Sequence, residues 1–119
     1  MDYSFNMQTI VELPEYIRRA SSLLNDSEKQ GVINYLASHP QEGAVMQGTG
    51  GIRKFRWASG NRGKSSGVRV IYYFHSKSTP LFLLTVFGKN EKANLSKSER
   101  NELAKFVNLL AKKYGETNV

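Results

Sequence analysis

Three runs of β-type residues, Ile52 to Trp57, Val68 to Phe74 and Leu81 to Phe87, follow one another with only Gly-, Ser- and Lys-rich connections between them. Strands joined by loops of that kind form hairpins or a meander, so the middle of the chain should be an antiparallel sheet. The second run carries Val68, Val70, Tyr72 and Phe74 on one alternation face and Ile71 and Tyr73, with Arg69, on the other. A strand apolar on both sides is a central one whose two surfaces are covered or partly covered.

Helical signals flank this block. TIVEL, residues 9 to 13, is short and β-branched and ends at Pro14, which predicts a first strand and then a helix with proline in its opening turn. Tyr16, Ile17, Ala20, Leu23 and Leu24 recur at helical spacing. Asn25 with Glu28 reads as a capping box for a second helix that buries Val32, Ile33, Leu36 and Ala37, and His39-Pro40 stops it. A second box, Ser96 with Glu99, opens a last helix with the stripe Leu103, Phe106, Val107, Leu110, Ala111 and Tyr114, and Gly115 is its expected cap. The expected class is α+β: one domain over residues 1–119, a small mainly antiparallel sheet with the N-terminal helices packed on one face, and a C-terminal helix.

Charge is distributed unevenly. The net charge is +7, yet residues 43–90 hold eight basic side chains and no Asp or Glu, leaving nine basic against ten acidic residues elsewhere. A surface built for solubility mixes the signs, so this segregation points to a polyanionic partner. The absence of cysteine excludes disulfides, cysteine zinc sites and thiol catalysis, and is compatible with a reducing cytosol. The start lacks a basic segment followed by an apolar one, and no stretch approaches the roughly 18 apolar residues of a membrane span. A cytoplasmic protein is expected.

Alternation along Ile52 to Trp57 puts Lys54 and Arg56 on one face with Ile52, and Phe55 and Trp57 on the other with Arg53. Cations two residues apart on one sheet face lie roughly 7 Å apart, cannot neutralise each other, and suit a phosphate between them. Arg69, at the head of the next strand, has the planar fork that clamps a phosphate bidentately. Between them ASGNRGKSSG brings Arg62 and Lys64 on small residues that let a nucleic-acid strand come close. Its glycines match neither the P-loop nor the dinucleotide pattern, so no nucleotide cofactor is expected. With acids missing from the central region, carboxylate hydrolysis and two-metal chemistry lack local ligands, and His39 and His75 have no neighbouring nucleophile. A nuclease built here would work without metal, needing a base for the 2′-OH proton, an acid for the 5′ oxygen and cations for the charge growing on the phosphate. Like charge disfavours a protonated lysine, so Lys54 or Lys64 is a candidate proton shuttle.

The segments GTGGIRKFRWA, RGKSSG, VRVIYYF and LLTVFGKNEKANLS, in that order, resemble the RelE/HigB superfamily of toxins from bacterial toxin–antitoxin modules, most closely its HigB-like branch, over about Phe5 to Tyr114. The resemblance implies a RelE-like microbial ribonuclease fold and a ribosome-dependent endoribonuclease. Such an enzyme enters the ribosomal A site, cuts mRNA by 2′-OH attack and leaves a 2′,3′-cyclic phosphate. It also implies a HigA-like antitoxin that holds the toxin inactive and links it to operator DNA. Lys54, Arg56 and Arg69 fall on the family's acid/base and phosphate-stabilising positions. Arg53, Arg62, Lys64, Lys89 and Asn90 are the further RNA-contacting candidates. Some relatives carry a tyrosine near the C-terminus for the 2′-OH, where this chain has Glu91-Lys92-Ala93-Asn94-Leu95, so the base stays open among Lys54, Lys64 and a ribosomal group. A non-catalytic RNA- or DNA-binding module, or a regulatory antitoxin-binding partner, would account for the same basic face without chemistry.

Overall fold

In the computed structural model, which describes residues 7–58 and 67–115, the chain runs β1 (Ile10–Glu12), α1 (Pro14–Leu23), α2 (Asp26–Ser38), β2 (Ala44–Val45), β3 (Ile52–Trp57), β4 (Val68–Tyr73), β5 (Leu81–Gly88) and α3 (Lys97–Gly115). Both capping boxes form. Asn25 Oδ1 accepts from the Glu28 amide at 2.8 Å while Glu28 Oε1 accepts from the Asn25 amide at 2.9 Å. Ser96 Oγ accepts from the Glu99 amide at 3.1 Å, and Glu99 Oε1 from the Ser96 amide at 2.8 Å. Orphan amides of both helix starts are satisfied by these side chains.

The five strands lie in the order β1-β5-β4-β3-β2, with β1 parallel to β5 and every other pairing antiparallel. The three expected strands thus form the centre of the sheet. β2 is an addition that the sequence did not announce, a two-residue edge strand whose Ala44 and Val45 oppose Lys54 and Arg53. Between β4 and β5 the register shifts, Ile71 opposing Thr85 while Tyr72 opposes Leu83, so Leu84 is an extra residue. That bulge lets Leu83 and Val86, three residues apart, enter the same core cluster, which strict alternation would forbid.

Because β4 is apolar on both sides, the sheet needs two coverings. Tyr16, Ala20, Leu24, Val32 and Leu36 of the N-terminal helical region pack with Phe55, Val68, Val70, Tyr72, Leu81, Leu83 and Val86 on one face. α3 takes the opposite face instead of joining the other helices: Val107, with Leu103, Leu110 and Tyr114, meets Ile52, Ile71, Tyr73, Phe82, Leu84 and Phe87. Two stripe residues differ from their expected burial. Ile17 is 53% exposed and Phe106 39% exposed, each lying at the border of its helix's apolar face. None of the described helices is long and apolar enough to cross a membrane.

Candidate nucleic-acid interface

Aromatic packing on the far side of β3 decides which way its cations point. Tyr35 of α2 stacks on Phe55 with ring centroids 5.4 Å apart, and Phe55 meets Trp57 at 6.1 Å. His39 continues the ladder, stacked on Tyr35 at 4.4 Å. Gly31 makes room for Trp57, since a Cβ there would stand 3.0 Å from the indole. With Phe55 and Trp57 fixed against α2, Lys54 and Arg56 must face the α3 side.

Strand register then assembles the site. Arg56 lies directly opposite Arg69, which in turn lies opposite Phe87, and one step along, Lys54 opposes Ile71 and Ile71 opposes Thr85. Arg56 is exposed and Arg69 half-buried. Like charges directly opposed across two strands destabilise a sheet, so this pairing is an expense unless an anion sits between the guanidinium groups. Burial first, and the charge of Arg56 second, push the Arg69 guanidinium below the ordinary arginine value. Among the described residues, its guanidinium donates to the carbonyl of Val68 at a long 3.5 Å. Lys54 Nζ, among the same residues, reaches Asn94 Oδ1 at 3.4 Å.

The neighbouring carboxylates are occupied elsewhere. Glu91 pairs with Arg19 and accepts from the Gly88 amide at 3.0 Å, and that amide, followed by Arg19, holds its carboxyl below the usual range. Glu99 pairs with Lys92 at 2.6 Å, and Lys92, followed by the Ser96 amide, lowers its pKa likewise. Lys92 also sits 5.3 Å over the Phe87 ring, beside the arginine row. Among the described residues, no carboxylate pairs with Lys54, Arg56 or Arg69. A cavity of about 440 Å³ between α1 and α3, lined among others by Arg19, Phe87, Lys92, Glu99 and Phe106, differs in kind, because its cations are already neutralised.

Of the expected site residues, Lys54, Arg56 and Arg69 therefore come together on one face. Arg53 does not join them: its guanidinium is on the other side of β3, donating to the carbonyls of Gln41 at 3.0 Å and Gly43 at 2.7 Å. Lys89 and Asn90 are exposed in the turn after β5, where the Lys89 amide donates to the Gly67 carbonyl at 3.0 Å beside the head of β4. Arg62 and Lys64 lie outside the described residues. Neither histidine belongs to the cluster, His39 closing α2 and His75 meeting the Tyr73 hydroxyl at 3.2 Å at the other end of β4. Among the described residues no group of His, Asp or Glu is placed to hold a metal ion. Asn94 is a member that sequence reasoning missed. Its only sequence signal was position within the loop that replaces an aromatic.

Residues 19–117 match the family model described as the RelE toxin of the RelE/RelB toxin–antitoxin system. Among solved structures, the chain is similar to the E. coli toxin RelE, in a double arginine-to-alanine mutant in the free state. Identity is 15%, the match covers 81% of this chain and 96% of that one, and the TM-score is 0.57. At that identity the likeness is one of fold.

Proposed function

The chain belongs to the RelE toxin family of toxin–antitoxin systems, with an antitoxin as its partner, and from that premise we propose that it is a ribosome-dependent mRNA endoribonuclease of the HigB-like branch. The observation that carries this reading is the opposition of Arg56 and Arg69, paired with no carboxylate among the described residues, with Lys54 one step along the same face. Two arginines in direct cross-strand register would stabilise the charge that grows on the non-bridging oxygens of a scissile phosphate. In the proposed reaction the 2′ oxygen forms a bond to phosphorus as the bond from phosphorus to the 5′ oxygen breaks. The 2′-OH proton leaves to a base, the 5′ oxygen receives one from an acid, and a 2′,3′-cyclic phosphate remains. Lys54, oriented by Asn94, is the proton-handling residue within reach of that phosphate. Lys64 or a ribosomal group would supply the complementary proton transfer. Arg62, Lys64, Lys89 and Asn90 would hold the mRNA at the rim, while Arg53 would act indirectly by fixing the Gln41 to Gly43 turn against β3.

Work in the ribosomal A site places the toxin in the cytoplasm, and a HigA-like antitoxin would restrain it and carry it to operator DNA. Purified protein should cut mRNA on programmed ribosomes to ends bearing 2′,3′-cyclic phosphate. RNA bound but never cut would favour a non-catalytic module, and absence of toxicity on induced expression a purely regulatory partner of the antitoxin.

A further inference from the structure

The basic face continues past Lys54 into a groove whose far cations, Lys97 and Arg100, have no role in the reaction above. Two adjoining hollows, of about 260 and 200 Å³, lie between the β2–β3 hairpin and the start of α3 and share Gln47 and Arg100. Lys54 and Asn94 line the first, and Lys97 and Asn101 the second. The groove is therefore continuous with the arginine site through Lys54 itself.

Its chemistry is one-sided. Arg100 and Lys97 have no carboxylate partner among the described residues, because Glu99, between them in sequence, is turned to Lys92 and the Ser96 amide. The Glu99 amide is already taken by Ser96 Oγ, so the groove acts through side chains and not through the free end of the helix. Gln47 and Asn101 add side-chain amides, each offering a donor and an acceptor suited to base edges, and Asn94, whose Oδ1 already accepts from Lys54 and the Leu95 amide, adds its amide donor. One wall is firm: Thr49 Oγ1 takes the Ile52 amide at 3.1 Å, and Gly48, Gly50 and Gly51 hold positive φ values of 76°, 77° and 110° in the hairpin turn.

We propose that this groove, with Arg100 and Lys97 as its phosphate contacts, carries the single-stranded RNA segment that adjoins the scissile phosphate, extending the site from Lys54 along the start of α3. The proposal rests on the endoribonuclease reading above. Alternating cations and amides fit a sugar–phosphate strand with its bases turned inward, and the hollows are too small and open for an enclosed small-molecule ligand.

The test uses the full chain and its Lys97→Gln/Arg100→Gln variant, with folding checked by thermal melting and Lys97→Ala/Arg100→Ala as a second pair. Each is measured in two arms: binding to a 2′-O-methylated single-stranded oligoribonucleotide, which cannot be cut, and cleavage of mRNA on programmed ribosomes. In both arms the variant should weaken several-fold, and the slope of log affinity against log salt should become shallower by about 0.7 for each lost phosphate contact. Unchanged affinity and slope in the binding arm together with unchanged cleavage overturn the groove while leaving the endoribonuclease intact. A change on ribosomes alone assigns the cations to ribosomal RNA and overturns the strand path, and loss of antitoxin binding with RNA affinity kept overturns it in favour of a protein interface. A wild-type chain that neither binds the oligomer nor cuts mRNA overturns the endoribonuclease reading together with this one.

Discussion

Arg69 holds its charge against two opposing influences, partial burial and the guanidinium of Arg56 directly across the sheet. A pair arranged for stability would not be built so. Arg56→Ala should therefore leave the melting temperature unchanged or raise it, by a gain of no more than about 1 kcal/mol, while RNA cleavage falls. A clear loss of thermal stability would show instead that the arginine packs structurally. Gly43 makes the opposite case: a Cβ there would stand 2.8 Å from the Tyr72 ring and 3.0 Å from the Lys54 carbonyl, and the Gly43 amide donates to the Tyr72 hydroxyl at 2.8 Å. Gly43→Ala should cost about 1–3 kcal/mol in a denaturant titration, the usual penalty for overpacking. At this scale much was legible in the sequence. Period-two alternation separated Lys54 and Arg56 from Phe55 and Trp57, because one face of β3 had to be buried. Alternation within one strand says nothing of register with the next, so the Arg56–Arg69 opposition was not visible. Arg53 was already on the buried side by the same rule, and the carbonyls that receive it belong to a turn no local pattern announced.

Among elements, the segment from Gly88 to Ser96 connects the sheet to α3 and is held by two depressed carboxylates, Glu91 and Glu99. Their folded values lie below the ordinary 4.5, so the stability they contribute is present above that pH and is lost as pH falls through the folded values. Thermal melts should show stability declining below about pH 4.5, and Glu91→Gln/Glu99→Gln should flatten that acid limb. An equally steep limb in the double variant would place the acid sensitivity elsewhere. The segment also presents Asn94 to Lys54, the feature hardest to foresee. Capping boxes, helix stripes and the three central strands follow local rules, and they formed, with Ile17 and Phe106 left exposed at the stripe borders. By contrast the face that α3 covers is a tertiary choice, visible beforehand only as the two-sided apolarity of β4. The edge strand β2 is too short to carry a periodic signal.

Over the whole molecule, the excess positive charge sits in the central segment, and the fold places Lys54, Arg56 and Arg69 from that segment on one face, beside the start of α3. Glu91 and Glu99, in the segment from β5 to α3, are spent on Arg19, Lys92 and backbone amides. Binding to RNA should accordingly weaken with salt, with a log–log slope of about −0.7 for each phosphate neutralised on a single strand. The same dependence would accompany mere binding, so only the chemistry separates an enzyme from a cationic platform. The most direct measurement compares wild type and Arg69→Ala, both with native melting behaviour, for cleavage of mRNA on programmed ribosomes and for the chemical nature of the new 3′ ends. The proposed mechanism predicts 2′,3′-cyclic phosphate ends from the wild type and loss of most of that cleavage in Arg69→Ala. Full activity in the folded mutant would contradict the proposed phosphate clamp.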